Sequence, residues 1–242
     1  MKIVGNSDIG RVRTTNEDAF RFGKYEDGAV WAIVCDGMGG ALGGKLASSL
    51  AADMVSRKIE KSYNRSMSGV SVENMLLSAI TTANVTVFDR AAADNSVHGM
   101  GTTIVACVVK DSTACIAHVG DSRAYIISSG EISQITKDHS LVQEMLDRGQ
   151  ITKEQFENHP IKNIITRALG VEESIDIDFD YIDVKSGDVI LLCSDGLSGL
   201  VGSEELLKIY LDSDFDALCD NYIEAANNYG GRDNITVVAV KC

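Results

Sequence analysis

Basic residues are scarce in this chain. Lysine and arginine total 22 against 35 aspartates and glutamates in 242 residues, a formal charge of −13. Nucleic acid demands a basic face, so that class of partner is excluded. Long apolar runs are missing as well: none approaches the roughly 18 to 20 residues that a membrane helix needs, and no signal-peptide core stands at the N-terminus. A cytoplasmic protein without a membrane partner is expected. Proline occurs once, at Pro160, and no internal repeat, low-complexity tract or linker interrupts the chain. One domain over 1–242 is therefore expected, near the upper size for a single core. The six cysteines (Cys35, Cys107, Cys115, Cys193, Cys219, Cys242) contain no Cys-x-x-Cys pair that would suggest zinc or redox work. Four of them lie in apolar runs and read as small buried hydrophobes of a reducing compartment.

Against these absences stand five aspartates in short Gly- or Asn-flanked motifs. They are Asp18 in Asn16-Glu17-Asp18, Asp36 in Asp36-Gly37-Met38-Gly39-Gly40, Asp121 in Gly120-Asp121-Ser122-Arg123, Asp195 in Ser194-Asp195-Gly196, and Asp233 in Gly231-Arg232-Asp233-Asn234. Apolar, strand-like runs lead into three of them: Val30–Cys35 into Asp36, Cys115–Val119 into Gly120-Asp121, and Val189–Cys193 into Ser194-Asp195. Asp233 directly precedes a fourth run, Ile235–Val240. Each motif alone is an ordinary turn signal. Recurrence at the ends of separate strands instead places a cluster of carboxylates at one rim of a β core.

Converging carboxylates repel one another unless a cation sits between them. Oxygen-only donors suit Mg²⁺ or Mn²⁺, whereas Zn²⁺ usually recruits His or Cys. Two such ions side by side clamp a phosphoryl group and generate hydroxide at neutral pH. The residues by themselves thus point to a multi-metal hydrolase.

Helical periodicity marks two helices after the second acidic motif, one through Leu46, Leu50 and Met54, the other through Leu76, Ile80, Ala83 and Val87. A third runs through Phe215, Leu218, Cys219, Tyr222, Ile223 and Ala226. Short strands separated by Gly, Asp and Ser turns fill the intervals, with 103–109, 114–119 and 123–127 reading as a meander. Helix pairs inserted between strand blocks predict an α+β fold with antiparallel sheets. The stretch from about 140 to 165 differs: a short amphipathic helix (Leu141, Val142, Met145, Leu146) breaks at Gly149, then a polar run through Glu154, Gln155, Glu157 and Asn158 reaches His159-Pro160.

With these motifs in hand, the chain resembles the metal-dependent serine/threonine protein phosphatases of the type 2C (PPM) family, bacterial branch. The resemblance rests on eight stretches in the family's order: 7–18, 36–40, Met100-Gly101-Thr102-Thr103, 118–125, Lys137-Asp138-His139-Ser140, Ile165-Thr166-Arg167-Ala168-Leu169-Gly170, Ser194-Asp195-Gly196-Leu197, and 231–237. It implies a four-layer α-β-β-α sandwich, two central mainly antiparallel sheets flanked by helix pairs, with a mobile flap at about 140–165. It implies hydrolysis of phosphoserine and phosphothreonine by direct attack of a metal-bridging hydroxide, opposing a bacterial serine/threonine kinase. The implied partners are phosphorylated proteins and that kinase with its substrates, and a monomer is expected.

The resemblance also assigns roles. Asp36 would bridge two core Mn²⁺ or Mg²⁺ ions, with the Gly37 carbonyl on one of them, and Asp195 and Asp233 would complete the first. Glu17 and Asp18 would act through metal-bound waters. Asp121, with Asp195, matches a third ion. Arg13 matches the phosphate-binding arginine, whose planar fork suits two phosphate oxygens. Some relatives carry histidine where this chain has Met38, which leaves the proton donor to the leaving group open. His98, His118, His139 and His159 occupy no matching place and read as structural. No cysteine is followed six positions later by arginine, which excludes thiolate phosphatase chemistry. Two other classes remain beside the phosphoprotein phosphatase: a dinuclear hydrolase of nucleotides or phosphodiesters, and a catalytically dead binding module of the same fold.

Overall fold

The computed structural model describes residues 1–40, 42–157 and 159–242, so Asn158 in the polar run of 140–165 lies outside the described residues. Two five-stranded antiparallel sheets stack face to face, and a two-stranded ribbon pairs β4 (Gly37–Met38) with β5 (Gly101–Thr102). The first contains β2 (Ala19–Lys24), β3 (Val30–Cys35), β6 (Ile104–Lys110), β7 (Thr113–Val119) and β10 (Asp178–Asp183), in the order β10-β7-β6-β3-β2. The second contains β1 (Lys2–Asp8), β8 (Arg123–Ser128), β9 (Glu131–Gln134), β11 (Val189–Cys193) and β12 (Ile235–Lys241), in the order β1-β12-β11-β8-β9. Two long helices, α1 (Gly43–Ser62) and α2 (Gly69–Ala93), cover the first sheet. The second is covered by α6 (Ser203–Asp212) and α7 (Leu218–Asn228), which follow the single-turn helix α5 (Asp195–Ser198).

Strand alternation explains the four layers. On β3, Val30, Ala32 and Val34 face the opposing sheet, while Trp31, Ile33 and Cys35 pack with the α1–α2 layer. β12 divides likewise, with Val238 and Val240 between the sheets and Ile235, Val237 and Ala239 under α7. Both faces of these central strands are buried, so they read as continuous apolar runs rather than as alternating ones. The result is three apolar interfaces and the expected α-β-β-α sandwich.

One expectation fails. The predicted meander of 103–109, 114–119 and 123–127 does not exist: β6 and β7 pair in the first sheet, but β8 belongs to the second. The chain crosses between sheets at 120–122, where Gly120 takes φ +105° against the Thr103 side chain. This crossing lifts Asp121 to the mouth between the sheets. Residues 140–165 hold two short helices, α3 (Leu141–Asp147) and α4 (Lys153–Glu157). Ser140 caps α3 by accepting from the Gln143 N–H, and Gly149, at φ +67°, follows its end.

Candidate active site

The strand ends deliver their side chains to one cleft of about 310 Å³. Arg13, Glu17, Asp36, Gly37, Asp121, Asp195 and Asp233 all line it, beside Met38, Thr103, Asn163, Ile165 and Asn234. Asp18 is the exception among the expected residues. It lies beneath the cleft, where Ser194 Oγ donates to its Oδ2 at 2.8 Å, and its buried Oδ1 has no hydrogen-bond partner. No histidine lines the cleft among the described residues.

Hydrogen bonds spanning the chain hold these groups. Asp36 donates its N–H to Thr103 Oγ1 (2.9 Å), and its carbonyl accepts from Thr103 N–H (2.8 Å) and Thr102 Oγ1 (2.9 Å). Thr103 Oγ1 also meets Ser122 Oγ at 2.7 Å, which ties the Asp36 turn to the Asp121 crossing. Asn234 Oδ1 accepts from the Glu17 N–H at 2.8 Å, while its Nδ2 donates to the carbonyls of Ile9 and Thr15. Thr102, Thr103, Ser122, Ser194 and Asn234 were inside recognised motifs, yet nothing in the sequence assigned them these partners.

The electrostatics show what the cluster lacks. Burial, then the charges of Asp18, Asp195, Asp121 and Asp233, push the Asp36 carboxyl well above the usual carboxylate range. Burial and the charge of Asp233 raise Asp195, while Asp36 beside it and the charges of Arg123 and Arg13 oppose the rise. Asp121 rises to about 8 through burial, Asp195 and Asp138, and burial lifts Asp18 to about 7 despite its bonds to Thr236 and Ser194. Arg13 is the cleft's cation. Its Nη2 pairs with Asp233 Oδ2 at 2.7 Å, and that hydrogen bond holds the guanidinium above its ordinary value against partial burial.

A hard divalent cation fits this donor set. The acids are oxygen donors whose mutual repulsion a cation would cancel, and Asp18 Oδ1 offers an unused lone pair. A Cβ on Gly37 would collide with the backbone carbonyls of Gly44 and Glu17, and one on Gly44 with the Glu17 carboxylate. Only glycine at both positions lets the Gly37 backbone and Glu17 approach the same point.

A second polar cluster lies on the other side of Gly120. His118 and His139 are not isolated: their rings stack at 4.7 Å, and His139 Nε2 reaches Asp178 Oδ2 at 3.2 Å. Ligand atoms of these three residues lie within 4.8 Å of one another. Near-parallel rings do not aim their lone pairs at one point, however, and Arg167 already sits 2.8 Å from Asp178 and 3.2 Å from His139 Nε2. The cluster reads as a structural ion-pair network, not a metal centre.

Comparison with known proteins agrees with this geometry. The protein phosphatase 2C family profile matches residues 5–237. The serine/threonine phosphatase stp of Listeria monocytogenes is 39% identical over 236 residues, covering 97% of this chain and 93% of that protein. The crystal structure of serine/threonine phosphatase Stp1 from Staphylococcus aureus superposes with a TM-score of 0.93 at 32% identity, covering all of this chain and 94% of that one. The catalytic domain of the serine/threonine protein phosphatase PstP, solved with two manganese ions, gives a TM-score of 0.85 at 30% identity, covering 99% and 97%. The chain belongs to the protein phosphatase 2C family of metal-dependent serine/threonine phosphatases.

Proposed function

We propose that the acidic cleft removes phosphate from phosphoserine and phosphothreonine of proteins, opposing a serine/threonine kinase, with 1–242 acting as one monomeric catalytic domain. The observation that carries this reading is the convergence of Asp36, Asp121, Asp195, Asp233 and Glu17 with one arginine, Arg13, in a single cleft. Two bound Mn²⁺ or Mg²⁺ ions would supply Lewis acidity and a nucleophile from water at neutral pH.

The protein's own residues would divide the remaining work. Asp36, with the Gly37 carbonyl, Asp195 and Asp233 beside it, would hold the two ions. Glu17, whose carboxylate faces Gly44, and Asp18, through its unpartnered Oδ1, would hold the surrounding water shell. Asp121 with Asp195 would take a third, weaker ion, since fewer carboxylates reach it. Arg13 would turn from Asp233 toward two phosphoryl oxygens, orienting the group and stabilising charge that builds on it. Met38 carries no proton, so the departing seryl or threonyl oxygen takes its proton from water in the cleft. Residues 140–165 stand at the cleft edge through Asn163 and Ile165, where a flap would influence which substrates enter.

Phosphate release from phosphoserine, phosphothreonine and phosphotyrosine peptides, with Mn²⁺, Mg²⁺ or excess chelator, tests the proposal. Turnover should require the metal and favour the first two peptides. Full activity in chelator would overturn it.

A further inference from the structure

Beside the cleft opens a second hollow of about 260 Å³, with Arg167, Ala168, Val171, Glu172, Ile175 and Asp176 among its lining residues. The two depressions adjoin. The chain leaves the wall of the cleft at Ile165 and enters that of the hollow at Thr166. Met38 of the cleft and Val171 of the hollow also close on the same glycine: a Cβ on Gly101 would meet Met38 Cε at 2.7 Å and Val171 Cγ2 at 3.1 Å. A polypeptide that seats its phosphoresidue in the cleft must lay its neighbouring residues across such ground.

The hollow is preformed. Asn84 on α2, fully buried, donates to the carbonyls of Glu172 (2.9 Å) and Glu173 (3.0 Å) and accepts from the Gly170 N–H (2.8 Å). A buried amide spending its donors and its acceptor on one loop fixes that loop before any ligand arrives. The unpaired charge lining the hollow is negative. Arg167 is engaged by Asp178, whereas neither Glu172 nor Asp176 forms an ion pair among the described residues. Val171 is 51% exposed, an apolar surface beside those carboxylates. Exposed carboxylates on a loop are ordinarily just solvated; adjacency to the phosphate cleft and the fixed apolar floor are what set these two apart.

We propose that this hollow receives a lysine or arginine side chain of the substrate polypeptide, close in sequence to the phosphoresidue. The methylene stem would lie on Ala168, Val171 and Ile175, and the cationic head would reach Glu172 and Asp176. An extended chain advances about 3.3 to 3.6 Å per residue, so a basic residue only a few positions from the phosphoresidue reaches an adjoining hollow. The protein's charge of −13 favours the approach of such basic segments. The inference rests on the phosphatase reading above and narrows its substrate class.

The test compares phosphothreonine peptides that differ only by arginine or alanine at each of the four positions on either side, with p-nitrophenyl phosphate as a substrate lacking flanks. Wild type should favour arginine at one or two positions by about 1.5- to 5-fold in kcat/KM, the range of a partly exposed charge contact. The Glu172→Gln/Asp176→Asn double variant should lose that preference while its p-nitrophenyl phosphate turnover stays at the wild-type level. No preference in wild type, a preference retained by the double variant, or equal loss on both substrate types would overturn the subsite. The first two of these results leave the phosphatase reading standing. Hydrolysis of p-nitrophenyl phosphate with no turnover of any phosphopeptide would instead sink that reading, and the subsite with it.

Discussion

On either side of Gly120 lie two polar clusters that treat charge in opposite ways. On one side, Arg123 Nε and Nη2 grip Asp138 at 2.9 and 2.7 Å, Arg167 pairs with Asp178, and His139 accepts the Gly120 N–H through Nδ1. Burial works against the charge on Asp178, but Arg167 and His139 outweigh it and hold its carboxyl below the ordinary value. Burial likewise pulls Arg123 down, and Tyr125 with Asp138 more than restores it. On the other side, Asp18, Asp36, Asp121 and Asp195 are all pushed upward, and Arg13 is the one cation lining the cleft among the described residues. The first cluster pairs its charges internally, with His118 Nδ1 left as its unpartnered buried atom among the described residues, and fastens the base of residues 140–165 to the Asp121 crossing. The second carries an electrostatic cost that only an added cation removes. Stability and function are separated across a few residues of chain.

The sharpest way to break this comparison is Asp36→Asn. Turnover should fall by at least about a thousandfold, the scale of losing a central electrostatic element. In chelator, however, the variant should unfold at a higher temperature than wild type, because a buried, repelled carboxyl has gone. Loss of both activity and metal-free stability would make Asp36 a structural residue. Arg123→Met should do the reverse on the complete side. Stranding the buried Asp138 charge should cost about 3 to 5 kcal/mol of unfolding free energy, with or without metal. A loss under about 1 kcal/mol in urea titrations would show that the ion pair is expendable.

Much of this was readable in the chain, for physical reasons that differ by residue. Asp36 directly follows a fully buried strand, Asp195 follows another by one intervening residue, and each precedes glycine, so local sequence fixes both their place and their exposure. Asp121 was found for the right local reason inside a wrong topology. The apolar run and turn signal at 114–122 are the same whether the next strand pairs in the same sheet or crosses to the opposite one, and only packing decides. The short helix α6, Ser203–Asp212, escaped notice because Leu206 is its one fully buried residue. The His118–His139 stack joins residues 21 positions apart on different elements, a pairing that no spacing rule encodes. Asn234 and Thr103 act through bonds to Glu17 and Asp36, far along the chain, and were legible only as members of a motif.

A smaller effect than these is expected from Arg13→Ala, which removes the cation that the cleft does possess. The ion pair with Asp233 is half-exposed, with side-chain exposures of 50% and 33%, so folding should be nearly unaffected. If Arg13 leaves Asp233 to bind the phosphoryl group in ground and transition states alike, KM should rise at least as much as kcat falls. The combined loss in kcat/KM should be about 2 to 4 kcal/mol, measured on a phosphopeptide. Unchanged kinetics would leave Arg13 as a surface partner of Asp233 only.

The smallest expected effect is a pH dependence that belongs to the incomplete cluster alone. Asp18 titrates at about 7 and Asp121 at about 8 in the metal-free fold, against about 4 for an unfolded aspartate. Between those limits the native state binds more protons than the unfolded one. Their contribution is therefore present at low pH and is lost as pH rises through 7 and 8. His139, lowered by burial first and by His118 next, acts in the opposite sense, but only below the ordinary histidine value of about 6.5. A comparison of pH 6.5 with pH 8.5 isolates the aspartates. In chelator, stability should drop by about 2 to 3 kcal/mol across that interval, several degrees in Tm for a chain of this length. Saturating Mn²⁺ should abolish or reverse the slope, because the cation displaces protons from the cleft acids and favours the ionised carboxylates. Thermal melts at the two pH values, with and without metal, decide the matter. A metal-free Tm that holds steady from 6.5 to 8.5 would mean that the cleft acids are already relieved by something other than a cation, and the contrast between the two clusters would disappear.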